Sequence, residues 1–131
     1  MHLFVYGTLR KGLDNPFAKL LADSSSYAGP GKVRGELYVI AHYPGLILSA
    51  NSWATGDLFR FDDSSDLLRT LDEYEGTEGN NEFRRVTTQA LLESGEWVEA
   101  NVYIYSGGTR DKQRIESGDF LEWLNASRQP R

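Results

Sequence analysis

The sequence predicts a single α+β domain, a small mixed and mainly antiparallel β-barrel with flanking short helices. Strand-like runs outnumber helical ones, and neighbouring strand runs are joined by short turns, which suits antiparallel pairing. The 131 residues contain no internal repeat and no long linker, so residues 1–131 read as one unit around one core. With 40 % hydrophobic residues, 3 Trp, 7 Tyr and 6 Phe, there is ample side chain to bury.

The elements follow in order. His2 to Tyr6 is a short apolar, β-favouring run that stops at Gly7, as a buried strand entering a tight turn does. Asn15 before Pro16 is a helix start, because Asn caps free backbone N–H groups and Pro fits the first turn; Phe17, Leu20 and Leu21 supply helical spacing. Ser24–Ser26 reads as a loop, Gly29–Pro30–Gly31 as a turn before a strand from Val33 to Ile40, and Pro44–Gly45 as a turn before Leu46 to Leu48. Gly56 leads into a further strand from Asp57 to Phe61.

From Asp63 to Gly76 the apolar positions Leu67, Leu68, Leu71 and Tyr74 form one stripe of a helix that Gly76 is placed to close. Arg84 to Leu92 and Trp97 to Tyr105 flank Glu93–Ser94–Gly95–Glu96, the pattern of a hairpin. In the second arm Val98, Ala100, Val102 and Ile104 alternate with Trp97, Glu99, Asn101, Tyr103 and Tyr105. Asp119 can cap a last helix carrying Phe120, Leu121, Trp123 and Leu124.

Composition narrows the function. Fourteen Lys and Arg against nineteen Asp and Glu give a net charge of −5, which argues against a duplex-binding role and leaves nucleic acid out of the expected partners. There are no cysteines, so disulfides, thiolate metal sites and a cysteine nucleophile are excluded. No apolar stretch is long enough to suggest a membrane span, and His2 to Tyr6 is too short for a secretory h-region, so the expectation is a cytosolic protein with no membrane partner. With only His2 and His42, no HExxH or clustered ligand set is present, GxSxG is absent, and no metal is expected. Asp62, Asp63 and Asp66 read as a charged helix start.

Two segments carry chemistry. At 100° per residue, Glu75 falls on the same side of its helix as Leu68 and Leu71. A carboxylate there is partly desolvated and close to the negative end of the helix dipole, and both effects raise its proton affinity, which suits a general acid/base. The competing reading is a border residue paired with Arg84 or Arg85. Asp72, three residues earlier, reads as a structural or peripheral charge.

The second segment runs from Val5 to Gly12, where a strand ends in Gly and a hydroxyl residue beside two cations, so its backbone N–H groups can form an anion-binding nest. Gly7 to Gly12 has the spacing of a phosphate loop, but Leu13 and Asp14 stand where Lys and Ser/Thr are required, so a nucleotide P-loop is rejected. Gly29–Pro30–Gly31 likewise fails the dinucleotide pattern.

Taken together, these segments resemble the gamma-glutamylcyclotransferase family, in particular its gamma-glutamylamine cyclotransferase-like branch. Phe4–Val5–Tyr6–Gly7–Thr8–Leu9–Arg10–Lys11–Gly12 is similar to the family's YG(S/T)L substrate-binding turn, and Leu71–Asp72–Glu73–Tyr74–Glu75–Gly76 to its LDxxEG helix end. Phe83–Arg84–Arg85–Val86, Ala100 to Tyr105, and Ile115 to Phe120 resemble three later blocks in the same order.

The resemblance implies a compact mixed barrel, and a cofactor-free intramolecular aminolysis in which a γ-glutamyl amine or peptide closes to 5-oxoproline and releases the free amine. Its small-molecule substrate is held at the glutamyl end by backbone groups and the hydroxyl around Tyr6, Gly7, Thr8 and Leu9, with Glu75 as the proton shuttle. One departure stands out. Phe83 occupies a position where relatives commonly carry Tyr, which raises the question whether Tyr103 or Tyr105 supplies a hydroxyl instead. The alternative is a non-catalytic ligand-binding module of the same fold.

Overall fold

A computed structural model describes residues 1–7, 9–10, 15–41, 43–62, 66–78 and 82–128, apart from the side chains of residues 74–78 and 127–128. The elements are β1 (His2–Val5), α1 (Pro16–Ser24), β2 (Ser26–Val39), β3 (Pro44–Arg60), α2 (Leu67–Glu78), β4 (Phe83–Leu92), β5 (Trp97–Tyr105), β6 (Gln113–Ile115) and α3 (Phe120–Arg128). The strand order is β3-β1-β5-β4-β2-β6, and pairing of β3 with β2 closes five strands into a mixed barrel with β6 on its flank. Among the described residues only β1 and β5 pair in parallel, Leu3 lying beside Asn101; the other ladders are antiparallel.

Alternation along the strands builds two cores. Phe4 and Tyr6 point into the barrel with Val33, Leu37, Leu46, Leu58, Ala100, Val102 and Ile104, and Phe120 of α3 packs on the same cluster. Leu3 and Val5, on the opposite face of β1, join Leu9, Leu21, Phe59, Phe61, Leu67, Leu71 and Tyr103 in an outer core under α1 and α2. The period-2 pattern of β5 and the Leu67/Leu68/Leu71 stripe of α2 face inward as expected, with Leu67 and Leu71 buried and Leu68 packed alongside them.

Local start signals also hold. Asn15 caps α1 through Ala18 N–H at 2.8 Å, and the Asp119 carboxylate accepts from Glu122 N–H at 3.2 Å at the head of α3. The turn at 93–96 joins β4 to β5, with Leu92 N–H donating to the Glu96 carbonyl at 2.8 Å.

Several boundaries differ from the expectation. Gly29–Pro30–Gly31 does not form a turn but lies inside β2, at a register shift between Tyr27 and Gly29 where Gly29 adopts φ 118°. A β-bulge asks for the same positive φ that a turn does, so glycine alone does not separate the two. Ser24–Ser26 is likewise no loop: Ser24 ends α1, Ser26 opens β2, and the Ser25 hydroxyl donates back to the Leu21 carbonyl.

Pro44–Gly45 opens β3, and the reversal falls one step earlier, where Ile40 and Ala41 N–H groups both donate to the Tyr43 carbonyl. The expected runs at Leu46–Leu48 and Asp57–Phe61 belong, as far as Arg60, to one continuous strand, β3. The ladder jumps from Arg34–Trp53 to Gly35–Leu48, so the intervening β3 residues bulge without ending the strand. Gly76 does not close α2, which continues to Glu78; a helix tolerates an interior glycine at a cost of about 1 kcal/mol. The expected start of that helix at Asp63 lies outside the described residues. β6 has no counterpart in the sequence reading, because its three residues are too few to show a period.

Candidate functional site

One end of the barrel gathers the segments singled out by the sequence. Parallel β1 and β5 both finish there, β4 begins there with Phe83 opposite Tyr105, and β2 hands over to β3 with Val39 opposite Pro44. Gly7 leaves β1 directly against the Pro44 ring: a Cβ built on Gly7 would stand 2.8 Å from Pro44 Cδ and Cγ, so only glycine lets the chain pass. Arg10 N–H then donates to the Gly7 carbonyl at 3.1 Å, turning the chain back within three residues.

Tyr6 itself faces inward. Its hydroxyl donates to the Tyr103 carbonyl at 2.5 Å and accepts from Leu46 N–H at 3.2 Å, tying β1 to β5 and β3 at the base of the turn. The Leu9 side chain is buried in the outer core and anchors the turn from below. Thr8 lies outside the described residues.

Helix α2 is pinned to the barrel one turn before Glu75. The Asp72 carboxylate accepts from Arg85 Nε at 2.9 Å and Nη2 at 3.1 Å, and from the Tyr103 hydroxyl at 2.6 Å. Arg85 Nη1 continues to Asn101 Oδ1 at 3.2 Å, and Asn101 Nδ2 donates to the His2 carbonyl at 3.0 Å. Burial pulls the Asp72 carboxyl upward, but hydrogen bonds from Arg85 and Tyr103 and the guanidinium charge outweigh it and hold the group below the ordinary carboxylate value. Asp72 is therefore an ionised anchor, in keeping with its reading as a structural charge. Arg85, named in the sequence analysis as one of two arginines that could pair with Glu75, is the partner of Asp72, whose hydrogen bonds raise the guanidinium's pKa further.

Glu75 belongs to α2, three residues on from Asp72, about 4.5 Å further along the axis by helical rise. Asp72 thus fixes α2 against Arg85, two residues into the strand that opens at Phe83 opposite Tyr105. The Glu75 side chain lies outside the described residues.

The rim at that end is aromatic. Phe83 sits between Tyr43 and Tyr105, with ring centroids 5.8 and 5.5 Å away. Tyr105 packs its ring edge-on against Phe83, and its hydroxyl lies by Gly107 and Glu82. Burial, then the neighbouring Glu82 carboxylate, push that phenol's pKa up and keep it protonated. The Tyr103 hydroxyl is engaged on Asp72 instead.

The Arg10–Asp57–Asp119 cluster, in which Arg10 and Asp57 are buried and Asp119 is half-buried, had no part in the sequence analysis. Arg10, taken there as one of two cations beside an anion-binding turn, directs Nε to Asp57 at 3.1 Å and Nη1 to Asp119 at 2.9 Å. Asp57 also accepts from the Tyr27 hydroxyl at 3.0 Å. The only available signal was an Arg after an apolar strand, and its partners lie 47 and 109 residues away. A separate cleft of about 280 Å³ between β2, β3 and β6, with Trp53 and Arg114 among its walls, contains none of the predicted site residues. Among the described residues no three His, Cys, Asp or Glu side chains gather as a metal site, and no helix is long and apolar enough to cross a membrane.

Comparison with known proteins decides the family. The model of the family described as "Gamma-glutamyl cyclotransferase, AIG2-like" matches residues 3–122. The chain belongs to this family. A protein of Methanocaldococcus jannaschii, provisionally named a gamma-glutamylcyclotransferase, is 28 % identical over 127 residues, covering 93 % of this chain and 97 % of that one.

Among solved family-like structures, the AIG2-like protein of Mus musculus superposes with a TM-score of 0.66 at 26 % identity, over 82 % of this chain and 78 % of that one. The Escherichia coli protein ytfP superposes with a TM-score of 0.64 at 28 % identity, over 95 % and 99 %. YkqA of Bacillus subtilis shares the fold with a TM-score of 0.74 at 24 % identity; the match covers 98 % of this chain, which spans 43 % of the length of YkqA.

Proposed function

We propose that this member of the family is a gamma-glutamylcyclotransferase that converts a γ-glutamyl amine or peptide to 5-oxoproline and the free amine, in the cytosol and without a cofactor. The observation that carries the proposal is the family match over residues 3–122, which includes both the Gly7 turn and the α2 segment bearing Glu75. The Gly7 turn follows the end of β1, on the side where β4 begins, and α2 packs on β4 through the Asp72–Arg85 pair, which supports bringing the two segments to one site.

The reaction needs four things: a hold on the substrate's glutamyl end, a bent chain, a base and an acid. Backbone groups at Tyr6, Gly7, Thr8 and Leu9 hold the glutamyl end. With the substrate so fixed, Glu75 takes a proton from the α-ammonium, the freed amine attacks the γ-carbonyl carbon, and a ring C–N bond forms. As the tetrahedral adduct collapses, Glu75 returns its proton to the departing nitrogen and the original amide C–N bond breaks; the ring nitrogen, which still carries two hydrogens after attack, gives up one of them through the same carboxylate, and the released amine takes it up and leaves as its ammonium. Atoms and protons balance with no external reactant. The place of Glu75 in the last turns of α2 is the ground on which the sequence analysis expects the raised proton affinity this exchange requires.

The test is 5-oxoproline release from a panel of γ-glutamyl amines and peptides, with Glu75→Gln measured in parallel. Release by the wild type with loss of at least about 100-fold in the variant supports the reading, that being the lower end of what a general acid/base contributes. Binding of panel members without release would favour the non-catalytic module, for which Phe83 in place of Tyr is the feature to consider.

A further inference from the structure

We infer that Arg10, clamped between Asp57 and Asp119, is a positioning residue that sets the substrate-binding turn and couples its geometry to the head of α3. The inference rests on the proposed function for what the turn binds.

The two ends of the turn are fixed by different physics. At Gly7 the constraint is steric, because the backbone lies against the Pro44 ring. At Arg10 it is ionic. This residue, only three positions beyond Gly7, is 8 % exposed, where an arginine beside a surface turn would ordinarily extend into water. Burying a guanidinium is costly unless it is paired and hydrogen-bonded, so its position is dictated by where its partners stand.

Those partners are held from elsewhere. Asp57 lies opposite Val5, the last residue of β1, and accepts from the Tyr27 hydroxyl at 3.0 Å as well as from Arg10 Nε at 3.1 Å. Asp119 accepts from Arg10 Nη1 at 2.9 Å through the same Oδ1 that caps Glu122 N–H at 3.2 Å. The planar guanidinium can bridge two carboxylates set by the barrel and by α3, which a lysine ammonium cannot do with the same geometry. The foot of the turn is thus located by β3 and α3 jointly.

Asp119→Asn isolates this role, since Asn caps a helix as well as Asp does while the ion pair to Arg10 is lost. Steady-state kinetics of 5-oxoproline release are measured for wild type, Asp119→Asn, Arg10→Lys and the double variant, with helix content followed by circular dichroism. The expected result is a KM raised about 10-fold in each single variant with kcat within about twofold, since a loosened turn loses binding common to ground and transition states, and a double variant no worse than the worse single. A staple with no influence on the turn would lower the active fraction, so kcat would fall with KM unchanged; that result, or unchanged kinetics, overturns the inference.

Should the wild type release no 5-oxoproline, the functional reading fails on its own account, and calorimetric titration with 5-oxoproline then reads the turn directly. A Kd about 10-fold weaker in Asp119→Asn upholds the positioning role, an equal Kd overturns it, and no binding by wild type overturns both.

Discussion

Asp72 and Arg85 face each other across the α2–β4 contact in a two-point ion pair, with Nε–Oδ1 at 2.9 Å and Nη2–Oδ2 at 3.1 Å, and the Tyr103 hydroxyl closes on the same carboxylate at 2.6 Å. The planar fork fixes both the depth and the rotation of the helix that carries Glu75. Their side chains are 33 % and 41 % exposed for Arg85 and Asp72, so solvent screens part of the attraction. Asp72→Ala is expected to cost about 1 kcal/mol in urea unfolding and to lower turnover more than stability, because it frees the rotation of α2. An unchanged ratio of activity to folded protein would show that the pair does not orient the helix.

The same pair has a pH signature. The folded Asp72 carboxyl is held below its ordinary value, so its contribution to stability is present above the unfolded pKa of about 4 and disappears as pH falls through the lower folded value. The stability difference between wild type and Asp72→Asn should be constant from pH 7 down to about pH 5 and should narrow below about pH 4, as measured by denaturant midpoints across that range. A difference that widens in acid would contradict the assignment.

Tyr27 gives the opposite window. Its phenol pKa is pushed up to about 12, by burial first and then by its hydrogen bond to the Asp57 carboxylate and that group's charge. A folded value above the unfolded one contributes stability in full below about pH 10 and loses it as pH rises toward the folded value. Tyr27→Phe should therefore unfold less steeply than wild type between about pH 10 and 12, in a thermal series over that interval.

Gly7→Ala would place a Cβ 2.8 Å from the Pro44 ring. The expected outcome is about 1 to 3 kcal/mol of destabilisation together with loss of glutamyl binding, as overpacking shifts the turn. Pairing it with Pro44→Ala removes the colliding ring and should restore much of the stability. Failure of the second substitution to relieve the first would place the strain elsewhere.

Leu71 is fully buried between α2 and the outer face of the barrel. Truncation to Ala is expected to cost about 2 to 5 kcal/mol in denaturant unfolding, the range for a leucine whose site cannot collapse.

What could be read from the chain alone was local. The Asn15 cap, the alternation along β5, the Leu67/Leu68/Leu71 stripe, the 93–96 turn and the Asp119 cap are each written within a few residues, and the order of the blocks around Gly7 and Glu75 placed the chain beside its family. Turn-like residues inside strands were misread because a bulge and a turn ask for the same backbone freedom at glycine, as at Gly29. Tertiary structure alone decided which charges meet. Asp72 chose Arg85 and not the solvent, Tyr103 gave its hydroxyl to that pair, and Arg10 turned inward to Asp57 and Asp119. Such pairings join residues up to 109 positions apart, and they exist only once the barrel has closed and excluded water, because charge and burial act through space while sequence patterns record only what is near along the chain.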